Sequence, residues 1–275
     1  MAEWIGIERR ARRCYGFDEI ALVPGSRTVN PNEVDTTFEI DGKKFKVPIL
    51  AAAMDGVVDV KFAVTMSGLG GIAVLNLDGV QTRYEKPDIV LEQIAQATPH
   101  KATELIQSIY TKPIKEKLIA KRVSEIKKKK AIAVVSCIPA HAEKFSKIAI
   151  AAGADIFIVQ STVTTKKHIS KEYKGLDLAK FCKATKIPVI IGNCVTYETT
   201  VELMETGAAG LLIGVGPGAA CTTRGVLGIG VPQVTATVDA AAARDFYYKR
   251  TGKYVPIITD GGMSRGGDIC KAFAC

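Results

Sequence analysis

Seven short runs of this chain are apolar without alternation, and that pattern restricts the fold more than any other feature of the sequence. They occupy residues 49–54, 71–76, 131–137, 156–161, 189–194, 210–216 and 256–262, each nearly continuous in Val, Ile, Leu and Ala. A strand with one wet face alternates, whereas a strand covered on both faces does not. The runs therefore read as strands of a parallel sheet. Amphipathic stretches lie between them at 140–152, 177–185, 199–206 and 232–249. Two of these end at Gly153-Ala154 and Gly207-Ala208, where a glycine C-cap is expected. A repeating strand–loop–helix unit gives either an all-parallel barrel or a doubly wound sheet.

The length of 275 residues suits one α/β barrel. A helix opening near Gly267 or Asp268 runs to the last residue, Cys275, so an eight-stranded barrel would lack its final strand. The expectation is a (β/α)8 TIM barrel, truncated after the seventh strand and part of its helix. It forms a single catalytic domain over 1–275. An unclosed barrel exposes two edges and an apolar lumen, and an open seven-stranded doubly wound sheet is the alternative. Residues 1–48 form a lead-in segment with a small strand pair at 37–40 and 44–47 around Asp41-Gly42. The longest stretch between strands, 77–130, is rich in Lys and Glu. It carries helical patterning at 88–97 and 102–110, which places helices outside the barrel.

Seven scattered cysteines without a Cys-x-x-Cys, and three isolated histidines, argue against a zinc site or a disulfide framework. Reduced thiols point to a cytoplasmic location. Residues 1–13 contain no apolar signal core, and no apolar run reaches membrane-spanning length, so no membrane partner is expected. The net charge of +9 concentrates at residues 9–13 and 127–130. It reads as a solvated basic arm and a basic helix end. No aromatic-studded basic stripe supports nucleic-acid binding.

The chemistry concentrates in Gly214-Val215-Gly216-Pro217-Gly218-Ala219-Ala220-Cys221-Thr222-Thr223-Arg224. This segment follows the sixth strand, hence the C-terminal face where barrel active sites form. Gly216 and Gly218 allow a sharp turn close to a ligand. Hydroxyls and a guanidinium beside Cys221 favour its thiolate. Taken alone, a single cysteine reads more often as an inert buried thiol. Gly214 to Ala219 also fits G-x-G-x-x-A. A dinucleotide-binding fold, however, places that motif in its first βαβ unit with an acid ending the next strand. Here five strands precede it, and Asp239 falls within a helix.

The loop, continuing to Gly228-Ile229-Gly230-Val231-Pro232-Gln233, resembles the catalytic-loop signature of the IMP dehydrogenase/GMP reductase family. So do Ala53-Met54-Asp55 after the first strand, Gly192-Asn193-Cys194-Val195-Thr196 after the fifth and Thr259-Asp260-Gly261-Gly262 after the seventh. The segment from Tyr15 to Pro24 is similar to the family's lead-in. The resemblance implies a (β/α)8 barrel, homotetrameric at full length, acting in purine nucleotide and GMP biosynthesis. It implies a nicotinamide cofactor, NAD or NADP, and a potassium ion. Cys221 would be the nucleophile and Thr223 its neighbouring hydroxyl. Asp260 would hold the ribose hydroxyls of a purine nucleoside monophosphate, Gly261 and Gly262 would admit the nucleotide, Met54 would pack on the base, and the Ala219 N–H would serve the phosphate. Gln160, Ser161, Thr162, Asn193, Gly214, Val215 and Gly216 would line the cofactor side. Carbonyls of Gly216, Gly218 and Cys221 would bind the monovalent cation. Read from pattern alone, Met54 is equally a core residue, Asp260 a helix cap or turn residue, and Asn193 a turn former.

The sequence departs from the family pattern at three places. Gln160 stands where dehydrogenases of the family carry an aspartate facing the cofactor ribose, which bears on the choice between NAD and NADP. Ala219 and Ala52 replace serines near the phosphate. Segment 77–130 holds no tandem CBS domain, as in GMP reductases and the CBS-less dehydrogenase-related branch. Yet residues 225–233 are closer to the dehydrogenase version. The leading expectation is therefore oxidation of IMP with NAD and water to XMP. The alternative is reduction of GMP with NADPH to IMP and ammonia. A further alternative is a non-catalytic nucleotide-binding paralogue. The family's flap and second phosphate loop fall past residue 275, so this stretch alone is expected to be inactive in a turnover assay.

Overall fold

The computed structural model describes residues 2–171 and 175–275. Seven parallel strands build one sheet whose spatial order follows the chain: β1 (Leu50–Ala51), β2 (Ile72–Asn76), β3 (Val134–Cys137), β4 (Ile156–Gln160), β5 (Val189–Cys194), β6 (Gly210–Ile213) and β7 (Ile257–Thr259). Helices fill the crossings. They are α1 (Val60–Gly68), then α2 (Val80–Arg83), α3 (Pro87–Ala95), α4 (Pro99–Tyr110) and α5 (Glu116–Lys128) between β2 and β3, and α6 (Ala142–Ala151). After β4 come α7 (Leu178–Ala184), α8 (Tyr197–Met204), the short α9 (Thr223–Leu227), the long α10 (Gln233–Thr251) and α11 (Gly266–Ala274). This is the arrangement of a (β/α)8 barrel through its seventh strand, and the open doubly wound alternative falls because strand order never reverses. Among the described residues no helix is long and apolar enough to cross a membrane.

Two apolar layers explain why the strands read as continuous apolar runs. On β4, Phe157 and Val159 face the outer helices, while Ile156 and Ile158 face the lumen. The lumen side is filled by Ile72, Val74, Val134, Ile156, Ile158, Ile190 and Leu212, with Ile40 and Phe45 packed among them. Those last two come from the expected hairpin, Phe38–Ile40 paired with Lys43–Phe45, whose Phe38 and Phe45 rings stack at 4.9 Å. The lead-in therefore packs into the barrel's lumen side. Outside, Phe157 is fully buried with its ring 6.0 Å from that of Phe181 on α7. Phe157→Ala should leave a cavity and cost roughly 3–5 kcal/mol in a denaturant titration; a loss under about 1 kcal/mol would contradict this packing.

Some elements differ from the sequence reading. β1 spans only two residues, because the backbone turns at once: the Met54 N–H donates to the Ala52 carbonyl at 2.8 Å. Residues 9–13 are exposed, as a solvated arm would be, and also ordered. Arg9–Arg12 pairs antiparallel with Ala2–Gly6, Arg10 lies over the Trp4 ring at 4.1 Å, and Arg12 is paired with Asp239 of α10. The basic end of α5 is as expected, with Lys127 bonded to Asp155 at 2.7 Å. Helices α1, α2 and α5 did not stand out in the sequence. In α5 the buried set Leu118, Ile119, Val123 and Ile126 has helical spacing, but it is interrupted by lysines.

Candidate active site

The segment after β6 leaves the sheet at Gly214 and returns at Val231, whose N–H donates to the Val215 carbonyl at 3.3 Å. Within it the Cys221 N–H donates to the Gly218 carbonyl at 3.0 Å, and α9 starts two residues after the cysteine. Arg224 of α9 donates through Nη2 to the Val231 carbonyl at 2.7 Å. Its side chain lies in a slot between Gly216 and Gly230, where a Cβ would come within 2.8 and 2.7 Å of it. Both glycines have positive φ, +71° and +156°. The loop is thus closed at its base and held by its own arginine.

Cys221 is exposed, with Sγ 3.1 Å from the Thr223 hydroxyl. That hydroxyl, followed by the Thr223 backbone N–H, lowers the thiol's pKa; slight burial opposes them, and the Arg224 charge adds a smaller lowering. The reading of Cys221 as an inert buried thiol therefore falls. Because the folded pKa is lowered, thiolate persists to lower pH than in a short unstructured peptide. Alkylation of Cys221 by iodoacetamide, followed by peptide mapping, should show a midpoint below the peptide's. Thr223→Val should raise it, and an unmoved midpoint would remove Thr223 as the cause.

Asp260 ends β7, and its N–H donates to the Ile213 carbonyl of β6 at 2.8 Å. It caps no helix, since α11 begins at Gly266. Its carboxylate Oδ2 accepts from Asn193 Nδ2 at 2.8 Å and from Gln160 Nε2 at 3.3 Å. Gln160 Nε2 also donates to Asn193 Oδ1 at 3.0 Å. Burial raises the Asp260 pKa, and the Asn193 hydrogen bond opposes that rise. Asn193 lies within β5, only 6% exposed, so it is no turn former.

The loops after β6 and β7 touch. A Cβ at Gly261 would meet the Pro217 ring at 3.0 Å, and one at Gly262 would meet it at 3.3 Å. Gly214 lies against the Asp260 carbonyl and beside Gln233, whose Nε2 donates to the Ile213 carbonyl at 2.6 Å and whose Oε1 is buried without a partner. The Cys221 loop and the Asp260 turn therefore share one wall.

The other expected site residues divide. Met54 is 53% exposed after β1, free to pack on a ligand and not part of the core. Ala219 and Thr162 are exposed. The Ser161 hydroxyl is engaged in its own loop, with the Val163 carbonyl at 2.9 Å and Thr164 Oγ1 at 2.8 Å. Val215 is buried, and its carbonyl pairs with Val231. Gln160 and Asn193, expected beside a cofactor, are joined to the carboxylate expected beside the nucleotide. Of the three carbonyls expected at a cation, that of Gly218 already accepts the Cys221 N–H, which leaves it one lone pair for a ligand.

Sequence reasoning missed the opposite part of the rim. Asp55 Oδ2 accepts from the Val80 N–H at 3.0 Å and from the Tyr110 hydroxyl, tying the turn after β1 to α2 and α4. Gly79 has no room for a Cβ, because the Asp55 carboxylate occupies that space. Asp78 accepts from the Ile138 N–H at 2.7 Å and meets His141 Nδ1 at 2.5 Å, tying the ends of β2 and β3. Asp55 stood in a visible motif, but nothing in the sequence marked Tyr110 as its partner or His141 as the partner of Asp78.

The family described as IMP dehydrogenase / GMP reductase domain matches residues 14–275. An uncharacterized oxidoreductase of Mycolicibacterium smegmatis is 34% identical over 98% of this chain and 74% of its own length. The inosine-5′-monophosphate dehydrogenase of Cryptosporidium parvum is 31% identical over 94% of this chain and 64% of its own length. A crystal structure of an IMP dehydrogenase/GMP reductase-like protein from Corynebacterium glutamicum superposes with a TM-score of 0.93 at 33% identity. That match covers 100% of this chain and 73% of the other.

Proposed function

This chain belongs to the IMP dehydrogenase/GMP reductase family, and from that premise we propose that it is a purine-nucleotide oxidoreductase working through a Cys221 thioimidate. The observation that carries the proposal is an exposed thiol, acidified by Thr223, on a loop that shares a wall with the Asp260 turn. The leading reaction is IMP, NAD and water to XMP and NADH. Asp260 holds the ribose hydroxyls, Met54 packs on the base, and the Ala219 N–H meets the phosphate. The Cys221 thiolate adds to C2 of the purine. Loss of hydride from that carbon leaves the thioimidate, and water then releases XMP and returns the thiol. Sulfur suits both halves because the thiolate is a good nucleophile and a good leaving group. Thr223 stabilises the thiolate before attack and on departure. A nicotinamide cofactor, when bound, supplies the hydride acceptor. Exposed Thr162 and the backbone of Gly214 to Gly216 are the groups that would receive it. A monovalent cation would draw on the carbonyls of Gly216, Gly218 and Cys221 and stiffen the loop. The proposed enzyme is cytoplasmic and homotetrameric at full length.

A second reading, GMP and NADPH to IMP and ammonia, is favoured by the crossing between β2 and β3. There α2 to α5 make up the whole crossing, with no inserted regulatory domain. In that direction the same thiolate displaces ammonia from C2, hydride from the reduced nicotinamide adds to that carbon, and cleavage of the C–S bond releases IMP and returns the thiolate. Incubating full-length protein with each nucleotide–cofactor pair, and following absorbance of the reduced nicotinamide, separates the two. A rise with IMP and NAD is expected. A fall with GMP and NADPH would assign the reverse direction, and no change with either would leave a nucleotide-binding paralogue.

A further inference from the structure

We infer that Gln160 is a positioning residue for the Asp260 carboxylate, and so serves recognition of a ribose cis-diol rather than the nicotinamide side of the mouth. The inference rests on the reading of Asp260 as the ribose-binding group and adds the residue that holds it in place.

On β4, Ile156 and Ile158 pack in the lumen, so the strand's period of two turns Gln160, the next in that series, inward at the C-terminal rim. Its register partner on β5 is Gly192, whose successor Asn193 supplies the next contact. Nε2 carries two hydrogens, and its two acceptors are Asn193 Oδ1 at 3.0 Å and Asp260 Oδ2 at 3.3 Å. Asn193 Nδ2 closes the ring of contacts on the same Oδ2 at 2.8 Å. Three strand ends, β4, β5 and β7, thus converge on one carboxylate oxygen.

Two consequences follow. Oδ2 already has two N–H donors, while Oδ1 has none among the described residues. A carboxylate held by one oxygen and open at the other suits a ligand that brings O–H donors, and a vicinal diol brings two. Taken with the proposed function, the matching group is a ribose that keeps both its 2′- and 3′-hydroxyls. Both side-chain N–H groups of Gln160 are spent on Asn193 and Asp260, which leaves its amide oxygen as the one side-chain group for any further ligand. With Gln160 Nε2 3.3 Å from Asp260 Oδ2, a glutamate in the same side-chain conformation would bring a second carboxylate against the first and repel it, a contact that a shorter aspartate would not make.

Titration calorimetry with IMP, 2′-deoxy-IMP and NAD on full-length wild type, Gln160→Met and Gln160→Glu tests this. Wild type should prefer IMP over its deoxy form. Gln160→Met, which keeps the side-chain volume, should shrink that preference about tenfold and leave NAD affinity unchanged. Gln160→Glu should shrink it further, and more so as pH rises. It also stands in as the second variant if the methionine protein misfolds. An unchanged ribose preference in the variants overturns the inference. So does a loss of NAD affinity instead, or a wild type that makes no ribose distinction. Ribose preference without hydride transfer would sink the proposed reaction and leave this inference standing.

Discussion

Cys221→Ala is expected to lower turnover by at least about 10⁴-fold while leaving nucleotide affinity within a few-fold of wild type. The size follows from what the sulfur does. Without it no covalent bond to the purine forms, and hydride would have to leave an unactivated ring carbon. The retained affinity follows from geometry, since the expected binding groups, Asp260, Met54 and the Ala219 N–H, do not depend on the thiol. Cys221→Ser separates nucleophilicity from shape. A hydroxyl beside Thr223 is not ionised near neutral pH, so the serine protein should be nearly as inactive as the alanine one. Single-turnover assays with trapped adduct measured by mass spectrometry check both. Adduct formation or turnover persisting in the alanine protein would remove Cys221 from the mechanism.

Gly214→Ala is the substitution expected to damage the framework most directly at the site. A Cβ there would stand 2.1 Å from the Asp260 carbonyl oxygen and 3.0 Å from Gln233 Oε1, at a φ of +151°. Neither neighbour has room to move. The carbonyl belongs to the turn leaving β7, and Gln233 is buried with its amide bonded to Ile213. Forcing β6 and β7 apart should cost about 3 kcal/mol or more, a fall of roughly 6–12 °C in Tm. The displaced Asp260 should also weaken nucleotide binding in any population that remains folded. A melting curve superimposable on wild type would show that this close approach is not a constraint.

The barrel was legible because its cause is local. A strand buried on both faces must be apolar at every position, and the run from Ile156 to Val159 announces that without knowledge of its neighbours. Cys221 with Thr223 was legible too, since two residues of separation in a turn bring side chains together. What the sequence hid was contact across the rim. Gln160, Asn193 and Asp260 are far apart in the chain, and only the curl of the sheet brings their tips onto one oxygen. The family resemblance assigns the first two to the cofactor and the third to the nucleotide, and says nothing of the hydrogen bonds that join all three. The same holds for Tyr110 on Asp55 and His141 on Asp78. Both contacts join elements whose relative placement is set by packing rather than by spacing. The hairpin at Arg9–Arg12 was read as a solvated arm because four exposed residues leave no apolar signature to mark a strand.

The rim's two arcs differ in how much freedom they retain. Along β1 to β3, Asp78 and one oxygen of Asp55 are tied to main-chain N–H groups and to His141 and Tyr110, so apart from Met54 that arc is mostly cross-braced. From β4 to β7 lie the exposed thiol, a carboxylate with one oxygen lacking a donor among the described residues, and the glycine-lined turns, the arc to which the proposed function assigns the reaction. A selective inhibitor would accordingly find its leverage in the second arc, with an electrophile for sulfur tethered to a diol for Asp260, and little purchase in the first.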